Sequence, residues 1–106
     1  MENVDDDYYN VYNIVQLDGI RLREASDKMR NTFEIVHAAV GNEGTALAYA
    51  SDRLQHDVKI LDVAIKQDGY AINYVPQEFK DEYTRLALGW HSHNMYLCMY
   101  LNRLLV

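Results

Sequence analysis

His91, Ser92 and His93 are the residues whose types most invite a chemical reading, because two neighbouring imidazoles can hold a zinc or nickel ion. Their spacing argues against it. Two positions apart on a helix, the side chains diverge by about 200°, so both could face one ion only if the helix has ended near Trp90. His37 and His56 lie elsewhere in the chain, and no compact carboxylate set accompanies any of the four histidines. A solvated helix end is expected, with no metal and no cofactor. Cys98, between Leu97 and Met99, lacks the electropositive and partly exposed setting that yields a reactive thiolate, and is expected as a buried structural thiol. The acidic run Asp5–Asp7 suits a helix start, where negative side chains meet the positive end of the dipole. Calcium would need more oxygen ligands at loop spacing. No phosphate-binding glycine loop, nucleophile elbow or paired-carboxylate pattern occurs, so no catalytic residue is assigned.

The nine tyrosines carry more information. Tyr8, Tyr83 and Tyr100 fall on the apolar columns described below and need no functional role. Tyr49 and Tyr74 share a column of their own, and Tyr9, Tyr12 and Tyr70 lie off the apolar stripes. Aromatic side chains with a polar tip bury large areas at small entropic cost, which suits protein interfaces. Tyr49, Tyr74, Tyr70 and Tyr12 are therefore the candidate contacts for a protein partner, with Tyr49 and Tyr74 forming a ridge along a groove. The competing role for that pair is to fill the seam between two packed units.

The elements that must position these residues repeat. Gly19, Gly44 and Gly69 are 25 residues apart, each follows an acidic residue, and Asn94 stands at the next step. Apolar columns keep the same period. Tyr8, Phe33, Val58 and Tyr83 make one; Val11, Val36, Leu61 and Leu86 another; Val15, Val40, Ile65 and Trp90 a third. Beyond the glycine come Leu22, Leu47, Ile72 and Leu97, then Ala25, Ala50, Val75 and Tyr100, then Met29, Leu54, Phe79 and Leu104. Spacings of three and four define helices, not strands. Long helices are predicted near 7–17, 32–42, 57–67 and 82–92. Gly19, Gly44, Gly69 and Asn94 should end them in the left-handed conformation that glycine and asparagine tolerate. Close packing is the alternative use of the glycines.

Helix starts are expected at Asp6–Asp7, Asn31–Thr32, His56–Asp57 and Asp81–Glu82, with a capping box joining Asn31 to Glu34. Shorter helices should follow each glycine and break at the column shared by Ser51 and Pro76, re-entering as a single turn. One such hairpin of helices cannot cover its own apolar face, so its copies must stack. The expected fold is all-α: tandem 25-residue helical hairpins stacked into a small solenoid-like or compact bundle domain. Its units are about 5–29, 30–54, 55–79 and 80–106 of a single domain, which 106 residues allow.

At this point the chain resembles a known family, the short helical repeat called domain of unknown function 4116. The resemblance rests on "EIVHAAVGNEGTALAYASDRLQHD" and "KILDVAIKQDGYAINYVPQEFKDE": an apolar helix, an acidic-glycine turn, then a Tyr-Ala-Ser-like segment. It is best over roughly residues 30 to 88. Glu24 departs from Tyr49 and Tyr74, while Gly89 and Asn94 replace the alanine and the glycine of the other units, as degenerate terminal copies would. The resemblance implies multi-copy proteins of bacteria, protists and large viruses, intracellular pathogens among them, and supplies no catalytic residue.

Charge bounds the partners. Sixteen acidic against ten basic residues give −6, which disfavours nucleic acid. The longest strongly apolar stretch, "MYLCMYL", is too short to span a membrane. "MENVDDDYYN" has neither the basic region nor the apolar core of a secretory signal, so a cytoplasmic location is expected, or the host cytoplasm for a delivered protein. The helix around "IRLREASDKMRN" has the charge of a solvated capping face. From Met95 to Val106 the chain is apolar on nearly all sides, and no acidic residue follows Glu82. That segment either folds back as a largely buried helix or offers a homodimer contact. The expected function is a non-enzymatic scaffold for protein–protein interaction, belonging to a pathogen protein acting in a host if the resemblance extends that far. The alternative is an accessory or targeting domain of a larger enzyme.

Overall fold

Three helices of ten residues begin at Tyr8, Phe33 and Val58, and local capping explains two of the starts. The computed structural model describes residues 7–105. Asp7 accepts hydrogen bonds from the backbone N–H groups of Tyr9 and Asn10, which opens α1 (Tyr8–Leu17). Asp57 does the same for Lys59 at the start of α5 (Val58–Gln67). Thr32 precedes α3 (Phe33–Asn42) in an extended conformation without a side-chain cap. The expected capping box is absent: Asn31 instead closes the preceding turn, and its side-chain oxygen accepts from Ser51 and Arg53. Asp6 lies outside the described residues.

Each long helix ends where predicted, but not by the predicted device. Asp18, Glu43 and Asp68 turn the chain into an extended conformation while their N–H groups still donate four residues back. No residue described has a positive φ, so Gly19, Gly44 and Gly69 are not left-handed caps. Space is the reason for them. A Cβ on Gly19 would overlap the Ala39 carbonyl oxygen, and one on Gly44 would overlap that of Ala64. The alternative of close packing therefore accounts for both glycines. Asn94 is a correction of the opposite kind: its side chain accepts from the Leu97 N–H, so it starts a helix and does not end one.

After each glycine the chain runs through a six-residue 3-10 helix: Gly19–Glu24, Gly44–Tyr49 and Gly69–Tyr74. The predicted break follows at Ala25–Ser26, Ala50–Ser51 and Val75–Pro76, all extended. Ser26 and Ser51 then cap single turns, α2 (Asp27–Arg30) and α4 (Asp52–Gln55). The third re-entry differs from expectation. It runs on as α6 (Gln77–Trp90), through the predicted start at Asp81–Glu82. Short residues, Thr32 and Asp57, occupy the extended N-cap position in the earlier units, and Asp57 caps its helix through its side chain. Glu82 stands there instead, a good helix former too long to cap its own helix. A last helix, α7 (Met95–Leu105), completes the all-helical chain, with no strand among the described residues.

Packing follows chain order. α1 lies on α3, α3 on α5, α5 on α6 and α6 on α7, while the first 3-10 helix lies on the second and the second on the third. The molecule measures 48 × 25 × 17 Å. Leu22, Leu47, Ile72 and Leu97 are all buried, so that column runs the whole length. The others are interrupted: Val58, Leu86 and Leu104 are exposed and Trp90 is half-buried, while Tyr83 is buried. In α5 the buried residues are Ile60, Leu61, Ala64 and Ile65; in α6 they are Tyr83, Thr84 and Ala87, two positions earlier in the period. Arg85 explains the change. It occupies the place of Ile35 and Ile60, and a guanidinium at the core would be uncompensated, so α6 turns by about 200° to bury other residues.

Candidate functional site

The histidine pair is divided by its local structure. α6 does end at Trp90, as chelation by both rings would require, but His91 is already engaged. Its Nε2 donates to the Ile65 carbonyl at 2.7 Å, tying the end of α6 to α5. His93 is exposed. The described residues hold no group of three His, Cys, Asp or Glu side chains that could share a metal ion. Cys98 is half-buried, contrary to the expectation of full burial, and its thiol donates to the His91 carbonyl at 3.3 Å.

The four singled-out tyrosines fall in three places. Tyr12, on α1, stacks on Tyr8 at 6.0 Å and borders an open groove of 520 Å³ between α1 and α3. Tyr49 borders a smaller hollow of 270 Å³ with Arg30 and Asp52. Tyr70 and Tyr74, both exposed, lie on the third 3-10 helix. No ring contact joins Tyr49 to Tyr74 among the described residues, so the expected ridge is not a stacked one. Tyr70 packs instead against Tyr100 of α7, ring centroids 5.1 Å apart. The Tyr100 hydroxyl donates to Asn73.

That contact leads to an apolar surface left open on α7. α7 turns Leu97 and Leu101 inward and leaves Met95 65%, Tyr96 77% and Met99 55% exposed, with Arg103 beside them. Positions 95, 99 and 103 recur every fourth residue, so they line one face, and Tyr96 lies one turn before Tyr100 on its flank. One face of this segment is buried against the body, and the other is uncovered. Val106 lies outside the described residues.

Several positioning residues escaped the sequence. Asn42 accepts from the Gly19 N–H at 2.8 Å and donates to the Gln16 carbonyl at 3.2 Å. Gln67, 25 residues on, accepts from the Gly44 N–H at 2.5 Å. Each reaches back from one long helix to the glycine turn before it. The signal was available, since these two amides share a column with Leu17 and Ser92. At Gly69 a Cβ would strike Leu97 of α7 and crowd His91. The Tyr83 hydroxyl donates to Asp62 at 2.7 Å, and burial, then that carboxylate, hold its pKa above the ordinary tyrosine range. On the surface, the Arg21 guanidinium holds the Glu24 carboxyl below its usual value.

Residues 32–80 match a family of known sequence pattern, the domain of unknown function DUF4116. The match spans 49 of the 106 residues, and over it the chain is similar to DUF4116 domains. It runs from the start of α3 into the first turn of α6, and contains Gly44, Gly69 and the hooking amides Asn42 and Gln67. α1 and α7, the two ends, lie outside the DUF4116 match. No curated protein and no solved structure matches the chain. No helix among the described residues is long and apolar enough to cross a membrane.

Proposed function

We propose that the chain is a non-enzymatic interaction module, a short solenoid of 25-residue helical units that docks a protein on the open face of α7. The observation that carries this reading is the stripe of Met95, Tyr96 and Met99, uncovered on a helix whose other face is firmly packed. Methionine and tyrosine suit such a face because one adapts its shape and the other buries area at low entropic cost. Tyr70 and Tyr74 extend the same end of the molecule through Tyr100. Stacking is supported by the recurrence of long helix, 3-10 helix and turn, and by the hooks of Asn42 and Gln67. The units supply rigidity, and the last helix supplies the contact.

The test uses the full chain as bait in lysate of its source organism, beside Met99→Glu. Met99 is solvent-facing, so the variant keeps its fold and melting temperature. A protein retained by the unaltered chain and lost at least tenfold with Met99→Glu is the expected result. Equal capture by both baits contradicts the reading.

A further inference from the structure

We infer that the uncovered face of α7 receives the exposed face of α1 from a second copy of the chain, so that copies join head to tail. The inference rests on the interaction reading above and names its partner.

α1 presents a face of the same form as α7. Tyr9, Asn13 and Leu17 recur every fourth residue opposite the buried Val11 and Val15, and Leu17 is 85% exposed. At the equivalent positions in the next two units stand Asn42 and Gln67, whose amides reach back to a preceding glycine. Leucine cannot make that bond. An apolar side chain thus occupies the place from which interior units grip their neighbour. Because α1 contacts α3 and α7 contacts α6, the two open faces lie at opposite ends of the contact order.

Charge selects which faces meet. Asp7 and Asp18 flank the α1 stripe, with Glu34 of α3 near Tyr8 and Arg21, paired to Glu24, near Asp18. From Tyr83 onward the only Asp, Glu, Lys or Arg residues are Arg85 and Arg103. Pairing α7 with α7 would give Arg103 no acidic partner, and pairing α1 with α1 would gather aspartates. α1 with α7 sets opposite charges together around two apolar stripes, which makes the contact heterologous. One helix on another buries less than the roughly 800 Å² per partner of a stable complex, so the association is weak and salt-sensitive.

Two variants decide it. Leu17→Arg puts a positive charge on the α1 face, and Met99→Glu puts a negative one on the α7 face. Light scattering at high concentration and low salt should find the unaltered chain growing beyond its 12.3 kDa monomer mass, and salt should reverse the growth. Each variant alone should stay monomeric, while an equimolar mixture, with one good face of each kind, should double in mass and stop. Circular dichroism and melting temperature serve as the fold control. An unaltered chain that stays monomeric overturns the inference, as does a mixture that does not associate. Leu17→Arg that still dimerises overturns it too, in favour of α7 on α7. A monomeric chain with capture still dependent on Met99 leaves the interaction reading standing and removes only the second copy.

Discussion

The interior helices α3 and α5 and the C-terminal pair α6 and α7 carry apolar residues at the same 25-residue spacing, yet they solve burial differently. In the interior, a glycine turn lets a neighbouring backbone carbonyl approach, and an amide from the neighbour's helix end binds the glycine N–H. At the C-terminus Gly89 replaces the alanine whose carbonyl would be approached, and nothing lies within 4 Å of a Cβ placed there. α6 turns a different face inward, and α7 lays Leu97 on Gly69. The lesson is that a few substituted columns, Glu82, Arg85 and Gly89 among them, accompany the end of the regular packing. Interior units are specified by the space they deny a side chain; the terminal helix is specified by the apolar area it leaves over.

The contrast can be broken most forcefully at the glycines. Gly44→Ala should lower stability by about 1–3 kcal/mol, since the clash is with a backbone carbonyl that cannot swing aside. Chemical denaturation measures it, and a neutral result would deny that close approach defines the interior. Tyr83→Phe, at the junction between the two regions, should cost about 1 kcal/mol at neutral pH by removing the bond to Asp62. Its pH dependence has a definite sign. The folded phenol has the higher pKa, so its stabilisation is complete below the unfolded-state value of about 10 and is lost as pH rises through the folded value. The unaltered chain should therefore weaken above pH ~10 more steeply than Tyr83→Phe. Gly89→Ala carries the smallest effect and the opposite sign. With free space and a helical position, alanine should add about 0.5–1 kcal/mol, and a loss would mean that α6 packs like its interior counterparts.

Much of the fold was legible because spacing alone encodes it. The first three long helices, the break at Ser51 and Pro76, and the buried column from Leu22 to Leu97 all follow from the positions of apolar residues. What spacing does not encode is why a residue is small. A glycine after a helix serves equally well as a left-handed cap or as a place for a neighbour's carbonyl, and only the packing of the next unit distinguishes them. Asn94 was misplaced for the same reason, since an asparagine side chain can close one helix or open the next. The fourth unit was misjudged because its apolar residues were counted while the charge at Arg85 was not. Of the candidate contacts, Tyr70 and Tyr74 lie at the α7 end, whereas Tyr12 and Tyr49 border separate hollows. Residues 25 apart in sequence share a role along the stack without sharing a surface.

Methionine oxidation measures the central claim, that α7 keeps an uncovered face while the repeat interior is closed. Dilute peroxide followed by peptide mass spectrometry compares Met95 and Met99 with Met29, which is 4% exposed. Both residues of α7 should convert to sulfoxide well before Met29, and should slow when the chain is concentrated. Oxidation of Met95 and Met99 as slow as that of Met29 in dilute solution would mean that α7 is buried and offers no surface to any partner.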